Sequence, residues 1–87
     1  MTRIEYDDDF EKQAANLESQ FRKKLSLLLE LMVKNPYDPR LHTKTLSEPF
    51  AGILSFRITR DWRVTFHFVN ATTIRLLEVK HRKDIYR

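Results

Sequence analysis

The sequence predicts an α+β domain with the element order β-α-α-β-β-β, in which an antiparallel sheet carries two helices packed on one face. Two patterns predict this fold. Apolar and polar residues alternate from Gly52 to Phe68, which is the period of half-buried strands. Apolar residues recur every three or four positions between Phe10 and Met32, which is the period of amphipathic helices. A chain of 87 residues is long enough for one core, so residues 1–87 are expected to form a single domain.

The first predicted elements are a short strand and a helix. Residues 2–6 alternate around the apolar Ile4, as a strand requires. Asp8 and Glu11 have the spacing of a capping box, and acidic residues favour the positive end of the helix dipole. The sequence therefore predicts that a helix begins at this acidic stretch.

The boundary between the two helices is expected near residues 18–20, where Ser19 can cap a second helix. A single helix that continues through this stretch is the alternative. The second helix has an apolar face between Phe21 and Met32, and a face of this kind is more often core than a binding surface. The helix is expected to end at Asn35, because a residue that precedes proline avoids the α region.

The hairpin that follows contains a predicted pair of arginines. A three-residue loop, Thr59 to Asp61, keeps the apolar residues of both strands on one face and pairs Arg57 with Arg63. Like charges directly opposite each other are destabilising. The pair is therefore expected either to hold an anion or to fan apart as two ordinary exposed arginines.

The last strand is predicted at residues 72–80, after a turn at Asn70 and Ala71. Its apolar residues do not alternate, which fits a central strand that is buried on both faces. Gly52 is the only glycine and is expected at a backbone bend or a close approach. The predicted core combines helix and strand positions: Phe21, Leu25, Leu28, Met32, Leu54, Phe56, Ile58, Val64, Phe66 and Phe68.

Positive charge is concentrated in the second half of the chain. Residues 1–40 have a net charge of −1 and residues 41–87 a net charge of +5, within a total of +4. A polyanion such as nucleic acid is the natural partner, although a generally basic protein is the simpler interpretation. The sequence has no cysteine, no signal peptide and no apolar run of membrane-spanning length, so we expect a cytoplasmic protein.

The element order and three short segments resemble the RelE/ParE superfamily of toxins from bacterial type II toxin–antitoxin modules. The segments are Leu54-Ser55-Phe56-Arg57-Ile58, Asp61-Trp62-Arg63-Val64 and Val79-Lys80-His81-Arg82-Lys83-Asp84-Ile85-Tyr86-Arg87. The resemblance covers nearly the whole chain. It implies an mRNA interferase of the RelE branch, which cuts mRNA in the 30S A site of the ribosome, inhibits translation and is held inactive by a cognate antitoxin.

In that branch the ribose 2′-hydroxyl attacks the adjacent phosphate without a metal or another cofactor. The reaction needs a base, a positive group at the phosphate and a proton donor for the leaving 5′-oxygen. The resemblance implies that Arg57 and Arg63 bind the phosphate and that His81 donates the proton, an unengaged tail histidine being the alternative for His81. Further residues would contact the RNA: Arg82 and Tyr86 at the catalytic site, with Arg60, Lys83 and Arg87 as RNA-binding residues.

Lys44 is the predicted general base, because it lies about where relatives carry a catalytic residue in the loop before the hairpin. A lysine accepts a proton only where neighbouring positive charge favours its neutral form. His42 and Glu48 are the alternatives. Ser55 and Lys80 depart from the family pattern: some relatives carry a lysine at the position of Ser55, and relatives often have a glycine at the position of Lys80.

Two other functions are compatible with the same fold. One is a ParE-like toxin that inhibits DNA gyrase, and the other is a catalytically inert relative that only binds an antitoxin. Arg57, Arg63, His81 and Tyr86 together favour the nuclease, because a gyrase inhibitor does not need groups for acid–base catalysis.

Overall fold

The computed structural model describes residues 1–47 and 49–85. Within them the chain forms β1 (Arg3–Tyr6), α1 (Asp8–Ala15), α2 (Ser19–Lys34), β2 (Lys44–Thr45), β3 (Leu54–Arg57), β4 (Trp62–Asn70) and β5 (Thr73–His81). Two short 3-10 helices, η1 (Pro39–Leu41) and η2 (Arg82–Asp84), follow α2 and β5. The predicted α+β fold is confirmed. Three predicted site residues, Glu48, Tyr86 and Arg87, lie outside the described residues.

The sheet is mixed and has the strand order β1-β5-β4-β3-β2. The strands from β2 to β5 pair antiparallel, as predicted, whereas β1 pairs parallel with β5. The short strand β2 was not predicted, because residues 35–47 show no apolar period and were expected to form a loop. The alternation of residues predicts that β1 is a strand but not its direction. The direction of β1 relative to the other strands depends on the long connection through both helices.

The β3–β4 hairpin has the predicted register. The Cα partners include Phe56 with Val64 and Arg57 with Arg63. Phe56 and Phe66 are both fully buried, and their ring centroids lie 6.0 Å apart. The prediction that the apolar residues of the two strands share one face is therefore confirmed.

The interrupted alternation of β5 has a different cause from the one predicted. β5 is central, but Thr65 faces Glu78 while the next residue of β4, Phe66, faces Leu76. Leu77 is therefore the extra residue of a β-bulge, which opposes two residues of one strand to one of the other. Beyond the bulge the faces of β5 are exchanged: Val79 is buried on the helix side, and its neighbours lie on the opposite face.

The core lies between the helices and one face of the sheet. Met32 is fully buried there, and Phe10 contributes from α1. Phe21 and Phe68 were predicted in the core but are only partly buried and pack against it. The remaining buried members are Leu25, Leu28, Leu41, Leu54, Phe56, Ile58, Val64, Phe66, Ile74, Leu76 and Val79.

The helix starts differ from the prediction in detail. Asp7, not Asp8, caps α1, because its carboxylate accepts a hydrogen bond from the Asp9 amide at 3.3 Å. The two helices are separate, as predicted. However, Ser19 is the first residue of α2, and Glu18 is the N-cap without a side-chain hydrogen bond. The acidic side chains before α1 are chemically equivalent, so the end of β1 decides which of them caps.

A loop at residues 46–53 connects β2 to β3. The Leu46 amide donates to the Ile53 carbonyl at 2.9 Å, which closes the loop, and Ile53 N donates to Phe50 O at 3.0 Å. Gly52 has a φ of 86°, in the region that glycine favours. A Cβ at Gly52 would meet no atom within 4 Å. The predicted bend is thus present, and the conformation rather than crowding requires the glycine.

Candidate nucleic-acid interface

Three cationic side chains form a row on the sheet face opposite the helices. Arg57 is the Cα partner of Arg63, and Arg63 is the partner of Lys80. Their strand neighbours Phe56 and Val64 are buried in the core, so these three side chains project from the other face. Adjacent strands lie about 4.8 Å apart, and the row therefore spans about 10 Å. We call Arg57, Arg63 and Lys80 the cationic row.

The two arginines of the row are partly buried. The Nε atom of Arg57 is buried and has no hydrogen-bond partner among the described residues, and the Nε atom of Arg63 is also buried. A buried donor without an acceptor is costly, and an anion would satisfy it. Guanidinium groups keep their charge and bind phosphate through two parallel hydrogen bonds. This geometry favours the anion-holding interpretation over two exposed arginines that fan apart.

A second row lies beside the first. Lys44 is the Cα partner of Ser55, Ser55 of Thr65, and Thr65 of Glu78. Lys44 therefore lies on the same face as Arg57, at a diagonal distance of about 7–8 Å that long side chains can span. The structure thus brings the predicted base Lys44 close to the cationic row, on the exposed edge strand β2.

His42, the alternative base that the structure describes, lies between η1 and β2, two residues before Lys44. It is the exposed C-cap of η1, with a φ of 53°. Its neighbour Arg40 is engaged by Asp38, with Nη2–Oδ2 and Nε–Oδ1 distances of 2.8 and 3.0 Å. The side-chain hydrogen bonds from Arg40, together with that from its backbone amide, lower the pKa of Asp38 to about 2. Asp38 is thereby held ionised as the cap of η1.

His81 lies at the same end of the sheet as the cationic row but on the other face. Its Cα partner is Trp62, and the two rings meet edge to face with centroids 5.3 Å apart. His81 Nδ1 accepts a hydrogen bond from the Lys83 amide at 3.3 Å, which in the neutral ring leaves the proton on Nε2. His81 follows Lys80 directly, and successive strand residues point to opposite faces. The structure therefore does not bring His81 onto the arginine face.

Arg82 is held against the hairpin loop. Its amide donates to the Asp61 carbonyl at 2.7 Å, and its Nε lies 3.6 Å from Asp61 Oδ1. Arg60, beside Asp61, and Lys83, in η2, are exposed. The hairpin loop and η2 therefore bring Arg60, Arg82 and Lys83 to the end of the sheet that carries the cationic row.

Solved structures with similar folds come from toxin–antitoxin modules. A YoeB/ParE toxin from Agrobacterium tumefaciens matches with a TM-score of 0.78 and 13% identity, over 93% of this chain and 99% of that chain. YafQ from E. coli matches with a TM-score of 0.76 and 19% identity, over 100% of both chains. The chain has the fold of the RelE and ParE toxins. The identities are too low to carry an activity from these proteins to this one.

The RelE/ParE fold is also represented by solved toxin–antitoxin complexes. An archaeal RelE–RelB complex from Pyrococcus horikoshii matches with a TM-score of 0.78 and 16% identity, over 95% of this chain and 97% of that chain. The E. coli DinJ–YafQ toxin–antitoxin complex matches with a TM-score of 0.74 and 18% identity, over 100% of both chains. No protein-family model matches the sequence, and a comparison with curated proteins gives no match.

Within the described part of this RelE/ParE-like chain, no group of three histidine, aspartate or glutamate side chains could hold a metal ion. Over the same residues, no helix is long and apolar enough to cross a membrane.

The sequence pattern did not predict part of the interface. It indicates no role for Glu78, and Lys80 is only a departure from the family pattern. Both residues reach the arginine face because of the bulge at Leu77. The break in alternation at Leu76 and Leu77 was the available signal, since a bulge is one cause of such a break.

Proposed function

We propose that the chain is a RelE-like toxin of a type II toxin–antitoxin module, a metal-independent endoribonuclease that cuts mRNA on the ribosome and inhibits translation. The observation that carries the proposal is the pair Arg57 and Arg63, which lie directly opposite each other on the sheet face away from the helices. The buried Nε of Arg57, without an acceptor among the described residues, supports an anionic ligand at this place. The fold shared with YafQ and RelE is consistent with this proposal.

The proposed reaction is an internal transfer at the phosphate. The ribose 2′-oxygen bonds to the adjacent phosphorus, the bond from phosphorus to the 5′-oxygen breaks, and a 2′,3′-cyclic phosphate and a 5′-hydroxyl result. Arg57 and Arg63 bind the non-bridging oxygens and neutralise the charge that develops there. Lys44 reaches the same face from β2 and removes the proton of the 2′-hydroxyl.

The proton for the 5′-oxygen comes from the imidazolium form of His81 in this proposal, in which Nδ1 carries a proton and no longer accepts from the Lys83 amide. The 5′-oxygen belongs to the same phosphate that the arginines bind, and His81 projects from the other face, so this phosphate and the path of the RNA must lie at the end of the sheet, where side chains from both faces can reach them. Arg60, Arg82 and Lys83 lie along that path and would contact successive phosphates. Tyr86 and Arg87 follow η2 in the sequence, and the proposal assigns them RNA contacts as well.

The proposed protein partner is a cognate antitoxin. The net charge of +5 on residues 41–87 suits an acidic or amphipathic segment. The solved complexes with the same fold contain a toxin bound to its antitoxin. A tight complex with the product of an adjacent reading frame, which restores translation, is the expected result.

In vitro translation tests the proposed function. Purified chain is added to a translation reaction, the mRNA is recovered, and its new 5′-ends are mapped and tested for a free 5′-hydroxyl. Arrest with such ends, formed only when ribosomes are present, is the expected result. Intact mRNA would contradict the proposal. In that case a supercoiling assay with DNA gyrase distinguishes a gyrase inhibitor from an inert antitoxin-binding protein.

A further inference from the structure

A cavity of about 170 Å³ lies beside the cationic row, on the same face of the sheet. Leu46, Phe50 and Ile53 of the β2–β3 loop border it on one side, and the end of β5 with Ile85 borders it on the other. The apolar part of its lining includes Phe50, Leu77 and Ile85, and the polar part is Thr65, Glu78 and Lys80. Lys80 belongs to both the row and the cavity, so a ligand in the cavity would be adjacent to a phosphate on the row.

The size of the cavity fits a single aromatic ring. A cavity of about 150 Å³ in a protein interior holds one benzene molecule, and this cavity is slightly larger. A six-membered pyrimidine ring therefore fits, whereas the fused rings of a purine need more room. This comparison favours the smaller class of nucleobase.

The apolar lining is separate from the main core. Leu46 and Ile85 are buried at 8% and 7% exposure, yet neither belongs to the core cluster between the helices and the sheet. Both line this cavity, together with the half-buried Phe50. RNA-binding proteins commonly stack unpaired bases on aromatic and apolar side chains, so this lining suits the flat face of a base.

The polar lining places a donor next to an acceptor. Lys80 Nζ lies 3.5 Å from Glu78 Oε2, and their side chains are 24% and 39% exposed. The edge of a pyrimidine has the complementary arrangement: in cytosine the N4 amino group is next to N3, and in uracil the N3–H is next to O4. Adenine and guanine carry the same adjacent groups on larger fused rings, so the size of the cavity decides which class of base can reach the pair. A glutamate accepts readily from the cytosine amino group. Glu78 and Lys80 can therefore satisfy two adjacent polar groups of one base.

We propose that this cavity is a subsite for one pyrimidine base of the RNA. Glu78 accepts a hydrogen bond from the base, Lys80 donates one to it, and the phosphate of the same nucleotide lies on the cationic row. This inference rests on the proposed function and specifies the substrate class of the same site. The nuclease would then prefer mRNA with cytosine or uracil at the nucleotide held there.

The test is a nuclear magnetic resonance titration of the folded chain with each of the four ribonucleoside 5′-monophosphates. Cytidine and uridine monophosphates should bind at least about fivefold more tightly than the two purine nucleotides, from the usual discrimination of a good base contact. The signals of Phe50, Thr65 and Leu77 should shift. Cytidine and uridine compared with each other identify which pyrimidine edge the Glu78–Lys80 pair prefers.

A pair of variants isolates the base contact. Glu78→Met keeps the length of the side chain but removes the acceptor, and it should abolish the pyrimidine preference. The matched control is Glu5→Met, since Glu5 is also a partly exposed sheet carboxylate, 3.4 Å from its partner Arg75. The control should keep the preference. An equal loss of preference in both variants would overturn the role of Glu78.

The outcomes separate this inference from the proposed function. Equal binding of all four nucleotides, or shifts confined to residues outside the cavity, would show that the pyrimidine subsite is wrong, even if the chain arrests translation. A pyrimidine preference in a chain that leaves mRNA intact would support the subsite and contradict the nuclease. If Glu78→Met fails to fold, the titration of the unmodified chain with the four nucleotides still tests the pyrimidine subsite.

Discussion

Arg57 and Arg63 show how single residues can favour function at the expense of stability. Their direct opposition across two strands is unfavourable in the free protein, because like charges repel and the buried Nε of Arg57 has no acceptor among the described residues. A phosphate would relieve both effects. The arginine pair is therefore the place where removal of one side chain should reduce activity without reducing stability.

Arg57→Ala should lower the single-turnover rate of mRNA cleavage by about 100-fold or more, the usual effect of losing a donor at the transition state. Arg57→Lys should recover part of the rate, because a charge remains while the two parallel hydrogen bonds are lost. Arg75→Ala is the matched control, since Arg75 is another partly exposed arginine of the sheet and pairs with Glu5 and Asp7. A similar rate for Arg57→Ala and Arg75→Ala would contradict the phosphate role.

His81→Ala should slow cleavage by about two to four orders of magnitude if His81 supplies the proton. Ribosome binding should change little, and the limb of the pH–rate profile that depends on the acid should flatten. In the alternative, His81 has a structural role only: it packs against Trp62 and caps η2. His81→Ala would then lower the melting temperature and leave the pH–rate profile unchanged. The profile, recorded for the unmodified chain and the variant, distinguishes the two roles.

Asp38 should titrate near pH 2 in a carbon-detected magnetic resonance titration, because the hydrogen bonds from Arg40 lower its pKa from 3.8. A lowered pKa in the folded state means that the Asp38 contribution to stability is present above about pH 3.8 and is lost as the pH falls towards about 2. Arg40→Ala should bring the midpoint back towards the ordinary value. A midpoint near 3.8 in the unmodified chain would rule out this pairing in solution.

At the scale of the elements, β5 needs backbone hydrogen-bond partners on both of its sides. It pairs with β4 along one side over its whole length, whereas its pairing with β1 ends at Leu76. Beyond that point α1 takes the place of a strand, and the Gln13 side chain accepts a hydrogen bond from the Val79 amide at 2.6 Å. A helix side chain thus satisfies a backbone donor that the short β1 cannot reach.

Gln13→Ala should destabilise the fold by about 1–3 kcal/mol, because it leaves the amide of the buried Val79 without its acceptor. Urea denaturation followed by circular dichroism measures the change. Gln20→Ala is the control, since Gln20 is exposed and its side-chain amide donates to Glu18, two residues away. The effect of this substitution should stay within about 0.5 kcal/mol. Equal effects of the two substitutions would show that the Gln13 contact contributes nothing.

In the molecule as a whole, the two faces of the sheet differ in composition: one packs against the helices and forms the core, and the other carries charged side chains. The helix side is apolar and closed, whereas the opposite face combines the cationic row with a small separate cluster around Leu46 and Ile85. Stability should therefore depend mainly on the helix side. Domains of this size are stable by only about 5–15 kcal/mol, so one large core truncation is a severe change.

Met32→Ala should cost about 2–5 kcal/mol, because Met32 is fully buried between α2 and the sheet. Leu27→Ala, five residues earlier on the same helix, should be nearly neutral, since Leu27 is 62% exposed. Thermal unfolding of both variants measures the difference. Comparable losses would mean that α2 packs through a different face in solution.

The sequence predicted the parts of the fold that depend on local periodicity. The alternation around Phe56 and Phe66 and the length of the intervening loop determined the hairpin register, and hence the pairing of Arg57 with Arg63. The helical spacing up to Met32 predicted the buried face of α2. These features follow from contacts between residues close in the chain, so a pattern of 2 or about 3.6 residues is enough to identify them.

By itself, then, the sequence determined the elements, the hairpin and the arginine pair, whereas only the tertiary structure decided the direction of β1 and the faces of β5. The bulge at Leu77 shifts every later residue of β5 by one position, and a shift of one residue exchanges the two faces. It therefore puts Lys80 beside Arg63 and sends His81 to the side of Trp62. Long-range pairing determines where such a bulge forms, and the local pattern shows only that the alternation breaks.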